Sequence, residues 1–410
     1  MSEANQLTLS DETREQRLLL STFSLGHCAN DWTAGSILLL TPAVALSMDV
    51  GSTEIGLLLT LVGIGGGLAY LPAGLLADYT RQRGLLLLLT FWWVVVGYLV
   101  ASLAPDFWWL TLLLAIAVMG DAAWHPIATG VLTQKMPDRK AHALGIHAMG
   151  GTIGAEALAP LAVGFLLVWF DWRTVLQISV LPALIMGFAF IPMVKRIGPA
   201  PDHRFDLGAL LILLRRWKTP LGVGLIGFAV IYNMATIAAT AMTPLYLRVD
   251  LGLSTVETGI AFAVMVVVGS VMQPFVGHAS DRVGRKLLLV LVLAMAGVFG
   301  VGVAHFKSFA PSLICVMVAI AFLIAIRPVV LAAAVDISGE RESTTLGIAF
   351  TLMDGIGAFG ALLAGIAGSK DLSHAFLMAG AFSIVASIVA FSLPFSQAKN
   401  SGSESVSRNG

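Results

Sequence analysis

Residues 286–305 read KLLLVLVLAMAGVFGVGVAH, twenty positions with a lysine at one end, a histidine at the other and nothing ionisable between. A helix needs about 20 mainly apolar residues to cross a bilayer core. The run lacks period-two alternation, which argues against a barrel strand. Working outward in both directions, the same reading recurs. Twelve spans are expected: 18–46, 54–77, 84–104, 108–133, 142–170, 173–194, 220–247, 255–280, 286–305, 309–335, 344–368 and 373–395. Composition agrees, because 57% of the 410 residues are hydrophobic and only 12% are charged. A soluble domain carries roughly 25% charge. The formal net charge of zero offers no field for nucleic acid. Cys28 and Cys315 fall in apolar runs of opposite halves, so no disulfide framework is expected.

Between the spans, the polar stretches set the domains. Residues 1–17 form a polar N-terminal tail, which lacks the basic start of a signal peptide. A first six-helix half follows at 18–194 and a second at 220–395. The linker 195–219 holds Lys195, Arg196, Arg204, Arg215, Arg216 and Lys218, with a short interfacial helix expected at 206–217. The tail 396–410 is rich in Ser, Asn and Gly and is expected to be disordered. Of the 24 Lys and Arg residues, 19 lie on the side of the termini and even-to-odd loops. Only Arg173, Arg248, Lys307 and Lys370 lie opposite, and Arg327 falls inside a span. By the positive-inside rule, both termini are expected in the cytoplasm.

The chain also repeats itself at an offset near 202. Thr41-Pro42 recurs as Thr243-Pro244, Ser52-Thr53 as Ser254-Thr255, and His125-Pro126 as Arg327-Pro328. Leu144-Gly145-Ile146 recurs as Leu346-Gly347-Ile348, while Gly74 and Asp78 recur one residue late as Gly277 and Asp281. The expected fold is therefore an all-α membrane protein of twelve transmembrane helices in two parallel six-helix pseudo-repeats. Such repeats place a site between them near the midplane and move by rocking.

The stretch Gly277-His278-Ala279-Ser280-Asp281-Arg282-Val283-Gly284-Arg285-Lys286 resembles the cytoplasmic signature loop of the major facilitator superfamily. The first-half copy runs from Gly74 through Asp78 and Arg81 to Gly84 and is degenerate, with Tyr79 after the Asp. With the repeat, the resemblance covers essentially the whole chain. It implies that both loops gate the cytoplasmic side, with Arg282 and Arg285 in ion pairs that differ between two states. A narrower likeness is to bacterial drug-efflux members of the fosmidomycin-resistance type. It rests on Gly26-His27-Cys28-Ala29-Asn30-Asp31, on His125-Pro126 and on the glycine-rich span 5. That span reads Gly150-Gly151-Thr152-Ile153-Gly154, then Pro160 and Gly164, and resembles the antiporter motif of exporters. It departs from that motif in Ala159 and in the acidic Glu156.

An ionisable residue at bilayer depth is costly and marks function by default. The candidates are His27, Asp31, Asp121, His125, Glu156, Arg327 and Asp354, with Asn30, Tyr232 and Asn233 as neutral hydrogen-bonding partners. At about 1.5 Å per residue, His27 and His125 share one level, and Asp31, Asp121 and Glu156 a deeper one. Within spans 1 and 4 the His and Asp are four apart, hence on one face. The resemblance implies that spans 1, 4, 7 and 10 line the cavity. Carboxylates gathered there cannot all stay ionised, which suits a proton carrier. Arg327 either orients an anionic substrate or pairs with Asp354.

Three functions are consistent with these residues. One is a proton-coupled antiporter exporting a small organic compound or drug from a bacterial inner (plasma) membrane. Another is a proton symporter importing an organic acid or similar nutrient. The third is a membrane-embedded metal site or enzyme, because His27, Asp31, Asp121 and His125 form a plausible shell for Zn²⁺ or Ni²⁺. Against the third, Cys28 has no thiolate partner and no soluble catalytic domain is evident. No metal, cofactor or enzymatic activity is therefore assigned. The expected partners are a small-molecule substrate, protons and the lipid bilayer, with a monomer as the working unit and no nucleic acid. No GxxxxGK[ST] loop points to ATP.

Overall fold

Backbone amides inside hydrocarbon must pair within their own segment, which leaves a chain this apolar little choice but helices. The computed structural model describes residues 3–80, 82–136, 140–198, 218–338 and 342–394, without side chains at 3–13, 78–79, 140–142, 281, 334–338 and 342–349. Among the described residues there is no strand, and twelve helices are long and apolar enough to cross a membrane. Spans 1 to 6 are Arg14–Met48, Ser52–Ala77, Arg83–Ser102, Phe107–Lys135, Ala143–Leu166 and Trp172–Ile197. Spans 7 to 12 are Pro220–Val249, Thr255–Ser280, Arg285–His305, Phe309–Ala333, Phe350–Ala367 and Ser373–Ser392. The expected interfacial helix at 206–217 and Arg81 lie outside the described residues.

Helix starts follow local chemistry. Asp106 accepts from the amides of Trp108 and Trp109, Asp171 from Arg173 and Thr174, and Thr219 from Gly222. Ser254 and Glu257 form a reciprocal capping box at span 8. Each cap satisfies amides that the first helical turn leaves free. Prolines repeat with the halves: Pro42 and Pro72 lie inside spans 1 and 2, Pro244 and Pro274 inside spans 7 and 8.

Within the first half, span 1 lies on spans 5 and 6, and span 4 on spans 2 and 3. In the second half, span 12 lies on spans 7 and 9, and span 10 on spans 8 and 9. Two seams join the halves. Along spans 2 and 11, Ser52 Oγ donates to Gly365 O at 2.8 Å and Thr60 Oγ1 to Ala358 O at 2.7 Å. The Leu362 amide donates back to Thr60 Oγ1 at 3.0 Å. Along spans 5 and 8, Gly164 and Gly259 let the backbones meet. Ser52, Gly164 and Gly259 lie towards the face opposite the N-terminus, and the seam of spans 2 and 11 runs on from there to Gly67, which meets Gly355. A cavity of about 380 Å³ lies on that face between the halves, bordered by Leu39, Trp172, Arg173 and Arg248. None of the candidate site residues lines it, so the titratable groups occupy a separate place in the fold.

Candidate substrate and proton site

Span 1 presents His27, Asn30 and Asp31 on one face because they are separated by three and four positions. Span 4 presents Asp121 and His125 by the same spacing, and the two helices are in contact. His27 Nε2 stands 3.1 Å from Asp31 Oδ2, and His125 Nε2 3.8 Å from Asp31 Oδ1. The two imidazoles meet edge to face, with centroids 4.9 Å apart. Asn30 is fully buried and donates through Nδ2 to Asp121 Oδ1 at 3.0 Å and to Asp121 O at 3.2 Å. The Asp31 and Asp121 carboxyls are in electrostatic range of each other. The sequence reading placed these residues at neighbouring depths, and the structure gathers them into one cluster.

The protonation of this cluster follows from donor and acceptor chemistry. His27 Nδ1 lies 2.7 Å from the carbonyl of His147. A carbonyl only accepts, so Nδ1 carries a hydrogen. Nε2 then faces a carboxylate oxygen, which is also an acceptor. One positive charge must lie between Nε2 and Asp31, either as a proton on one of them or as a bound cation.

Span 5 builds the other wall. Its segment Thr152–Leu158 is a π-helix, flanked by α-helix at Lys140–Gly151 and Ala159–Leu166. Such a wide turn is uncommon and concentrates at functional sites. A Cβ at Gly154 would overlap the Cys28 carbonyl, and one at Gly150 the Ser24 carbonyl. The glycine run thus lets spans 1 and 5 cross backbone to backbone. Glu156 sits in the π-turn and accepts from Ser270 Oγ of span 8 at 3.1 Å. It reaches across to the second half instead of joining the Asp31–Asp121 pair by a hydrogen bond. His147, which sequence reasoning missed, stacks on His27 at 4.2 Å between centroids. Its only signal was the neighbouring Gly150-Gly151, which permits the crossing.

The second half answers with different chemistry. Tyr232 donates its hydroxyl to Leu323 O at 2.7 Å, tying span 7 to span 10. Asn233 donates to Met353 O at 2.7 Å and to Asp354 Oδ1 at 3.3 Å, tying span 7 to span 11. Span 10 breaks at Ile326, and a new helix begins at Arg327. The proline at 328 has no amide to continue the earlier ladder. Arg327 is half-buried, with Asp354, Tyr232, Glu156 and Tyr70 in electrostatic range. Among the described residues it forms no ion pair within 4.0 Å. Tyr70 of span 2 lies 6.0 Å from the His125 ring, so the second-half charges and the first-half cluster flank one space.

The expected gating residues are only partly described. Gly74 and Gly277 are helical, near the ends of spans 2 and 8, and so is the backbone at Asp78 and Asp281. Arg282 is exposed in the last turn of its helix, and Arg285 donates to Ala332 O of span 10 at 2.9 Å. Gly284 ends the helix at φ 94°, a conformation in which a side chain would clash with its own backbone.

Twelve apolar helices with ionisable side chains buried among them define a polytopic membrane protein. The sequence profile of the Major Facilitator Superfamily matches residues 23–361 and 224–408. The chain belongs to that superfamily, whose members are transporters and not enzymes. A probable sugar efflux transporter of Helicobacter acinonychis (strain Sheeba) is 30% identical over 185 residues, covering 44% of this chain and 45% of the relative. One of the same description from Pasteurella multocida (strain Pm70) is 26% identical over 251 residues, covering 60% and 59%. The chain thus spans only about half the length of these curated relatives. Among solved structures, a bacterial homologue of the human lysosomal transporter Spinster, inward-facing and unoccupied, superposes with a TM-score of 0.76 at 17% identity. That match covers 92% of this chain and 96% of the other. The nucleoside transporter NupG superposes with a TM-score of 0.73 at 14% identity, covering 91% and 98%. At these identities the superpositions speak for the fold alone.

Proposed function

We propose that the chain is a proton-coupled exporter of a small organic compound, working as a monomer by alternating access in a bacterial inner membrane with both termini cytoplasmic. The observation that carries this reading is the His27 imidazole, held through Nδ1 by the His147 carbonyl and facing Asp31 through Nε2 at 3.1 Å. That geometry requires a positive charge between Nε2 and the carboxylate, which a proton supplies. Asp121, in electrostatic range of Asp31, gives the proton a second resting place. Glu156 links the proton-bearing half to span 8 through Ser270, so a change in its charge would act on the seam between the halves. The names of the sugar efflux relatives, together with the glycine-rich span 5 and the likeness to drug-efflux members, favour export.

One observation favours a second reading. Arg327 faces the central space without an ion pair within 4.0 Å among the described residues, which suits an organic acid and fits import by symport equally well. Proteoliposomes loaded with a pH-sensitive dye separate the two. Under an imposed pH gradient, antiport moves protons against substrate and symport moves them with it. Substrate flux indifferent to the gradient in the wild type would falsify proton coupling in either direction.

A further inference from the structure

His27, Asp31 and His125 each place one donor atom within 4.8 Å of the others, and both imidazoles turn Nε2 towards Asp31. We propose that these three residues form a binding site for a divalent first-row transition-metal ion of the Zn²⁺, Co²⁺ or Ni²⁺ kind, which binds by displacing the proton held between His27 and Asp31. The proposal goes beyond proton-coupled transport but uses the same side chains.

Four features support it. First, the donor set is right: two imidazole nitrogens and a carboxylate are ligands for these ions, with a further position left open. Zinc bond lengths set tetrahedral ligand atoms about 3.4 Å apart. The observed nitrogen–oxygen separations of 3.1 Å and 3.8 Å lie on either side of that value, each to a different oxygen of Asp31. Second, His27 is already oriented as metal-bound histidines are. Its Nδ1–H donates to the His147 carbonyl at 2.7 Å, which leaves the Nε2 lone pair for the ion. Third, the site contains unanswered acceptors. Asp31 Oδ1 and Asn30 Oδ1 are buried without a hydrogen-bond partner. Beside them Gly151 leaves room, since a Cβ there would stand 2.5 Å from His27 Nε2. Fourth, the His125 side chain is 29% exposed, which gives the ion a way in.

The surrounding charges work in both directions. Asp121, close to Asp31, and Glu156, in range of His27, favour a cation. Arg327, in range of His125, opposes one. His147 and Cys28 face the site from spans 5 and 1, Tyr70 faces His125 from span 2, and the buried Tyr98 of span 3 is in range of Asp31 and Asp121. In the exchange, the ion takes the Nε2 lone pair and the carboxylate, and the displaced proton leaves to solvent. All three ligands belong to spans 1 and 4 of one half, so rocking the halves does not pull the site apart.

The test uses the full chain without an affinity tag, purified in detergent, stripped with EDTA and titrated calorimetrically with ZnCl2. One ion should bind per chain, with release of about one proton read from the dependence of the heat on buffer ionisation. His27→Ala and His125→Ala should each weaken binding at least tenfold, and His125→Asn, which conserves size, should do the same with an unchanged melting temperature. His305→Ala and His374→Ala, outside the cluster, should bind as the wild type does. CoCl2 should give the intense visible bands of a four-coordinate ion, lost in His27→Ala. Absence of saturable binding in the wild type overturns the site, and so does wild-type affinity in the folded His125→Asn protein. Proton flux measured in EDTA is a separate readout. Coupling without metal binding sinks only the metal site, and metal binding without coupling sinks only the proposed function.

Discussion

Asn30 of span 1 and Asn233 of span 7 each donate through the amide to a backbone carbonyl and to an acid, but from different places in the repeat. In the first half both acceptors belong to Asp121 of span 4, so the asparagine ties span 1 to span 4. In the second half they are Met353 O and Asp354 of span 11, so span 7 is tied to the counterpart of span 5. At the repeat offset the counterpart of Asn30 is Tyr232, and both tie the first helix of a half to its fourth, Asn30 through Asp121 and Tyr232 through Leu323 O. Around Asn30 lie two imidazoles and two carboxyls, groups that gain and lose protons. Around Asn233 lie a phenol, one acid and a guanidinium, and the guanidinium keeps its charge at any physiological pH. The comparison teaches a division of labour, with a titratable first half and a fixed positive charge in the second.

Removing a key group from each half tests that division most severely. Asp31→Asn should reduce proton-coupled flux in dye-loaded proteoliposomes to background. Arg327→Gln should keep coupling but raise the substrate KM at least tenfold. If the two variants lose coupling alike, the division does not hold. A smaller, symmetric effect is expected from the helix crossings. A Cβ at Gly154 would overlap the Cys28 carbonyl, and one at Gly360 the Met234 carbonyl. Gly154→Ala and Gly360→Ala should each cost about 1–3 kcal/mol, read as a lower melting temperature in detergent. A cost confined to one half would show that only one crossing is rigid.

The seam between the halves is expected to respond less. Thr60→Val removes the hydroxyl that donates to Ala358 O and accepts from the Leu362 amide. Interhelical hydrogen bonds in membranes contribute about 0.6 kcal/mol on average and about 1.7 at most. The variant should therefore open the face opposite the termini by a few-fold, measured as faster labelling of a cysteine placed at Leu39.

The smallest effect concerns the caps of spans 6 and 12. The hydroxyl of Thr174 and the amides beyond it hold the Asp171 carboxyl below its ordinary range. Ser373, with help from Lys307 at 3.1 Å, holds Asp371 at about 2. A carboxyl lowered in the folded state contributes stability above its unfolded pKa of about 4. That contribution is lost as pH falls towards the folded value. Asparagine caps a helix as well as aspartate does, so substitution removes only the charge. Asp371→Asn should lower the melting temperature by about 1 °C at pH 6 and by progressively less as pH falls through about 2. Asp171→Asn, whose carboxyl has no lysine partner in the recorded ion pairs, should show a smaller shift.

Much of the site could be read before any coordinates. The four-residue spacings His27–Asp31 and Asp121–His125 and their matched depths predicted that spans 1 and 4 present one polar face, and the distances among these groups agree. Glu156 was expected at the level of Asp31 and Asp121, but its hydrogen bond crosses to Ser270. The π-turn that carries it resets the rotation of span 5, and no hydropathy pattern encodes that shift. His147 lay inside an expected span without being singled out, because its role depends on where two helices cross. Asp354 is in electrostatic range of Arg327, yet the two form no ion pair within 4.0 Å, so the sequence alternative of a simple Arg327–Asp354 pair is not what the helices build.

The sequence by itself determined the solvent, the helices and the duplication. Hydrophobic length is read directly in residues, and a gene-like repeat survives as matched prolines, caps and glycines. Tertiary structure alone decided which buried polar atoms face one another. That depends on helix crossing points and on the rotation of each helix about its axis. Shifts of a few ångströms there determine whether His27 meets a carboxylate, a carbonyl or lipid, and an apolar sequence pattern tolerates all three.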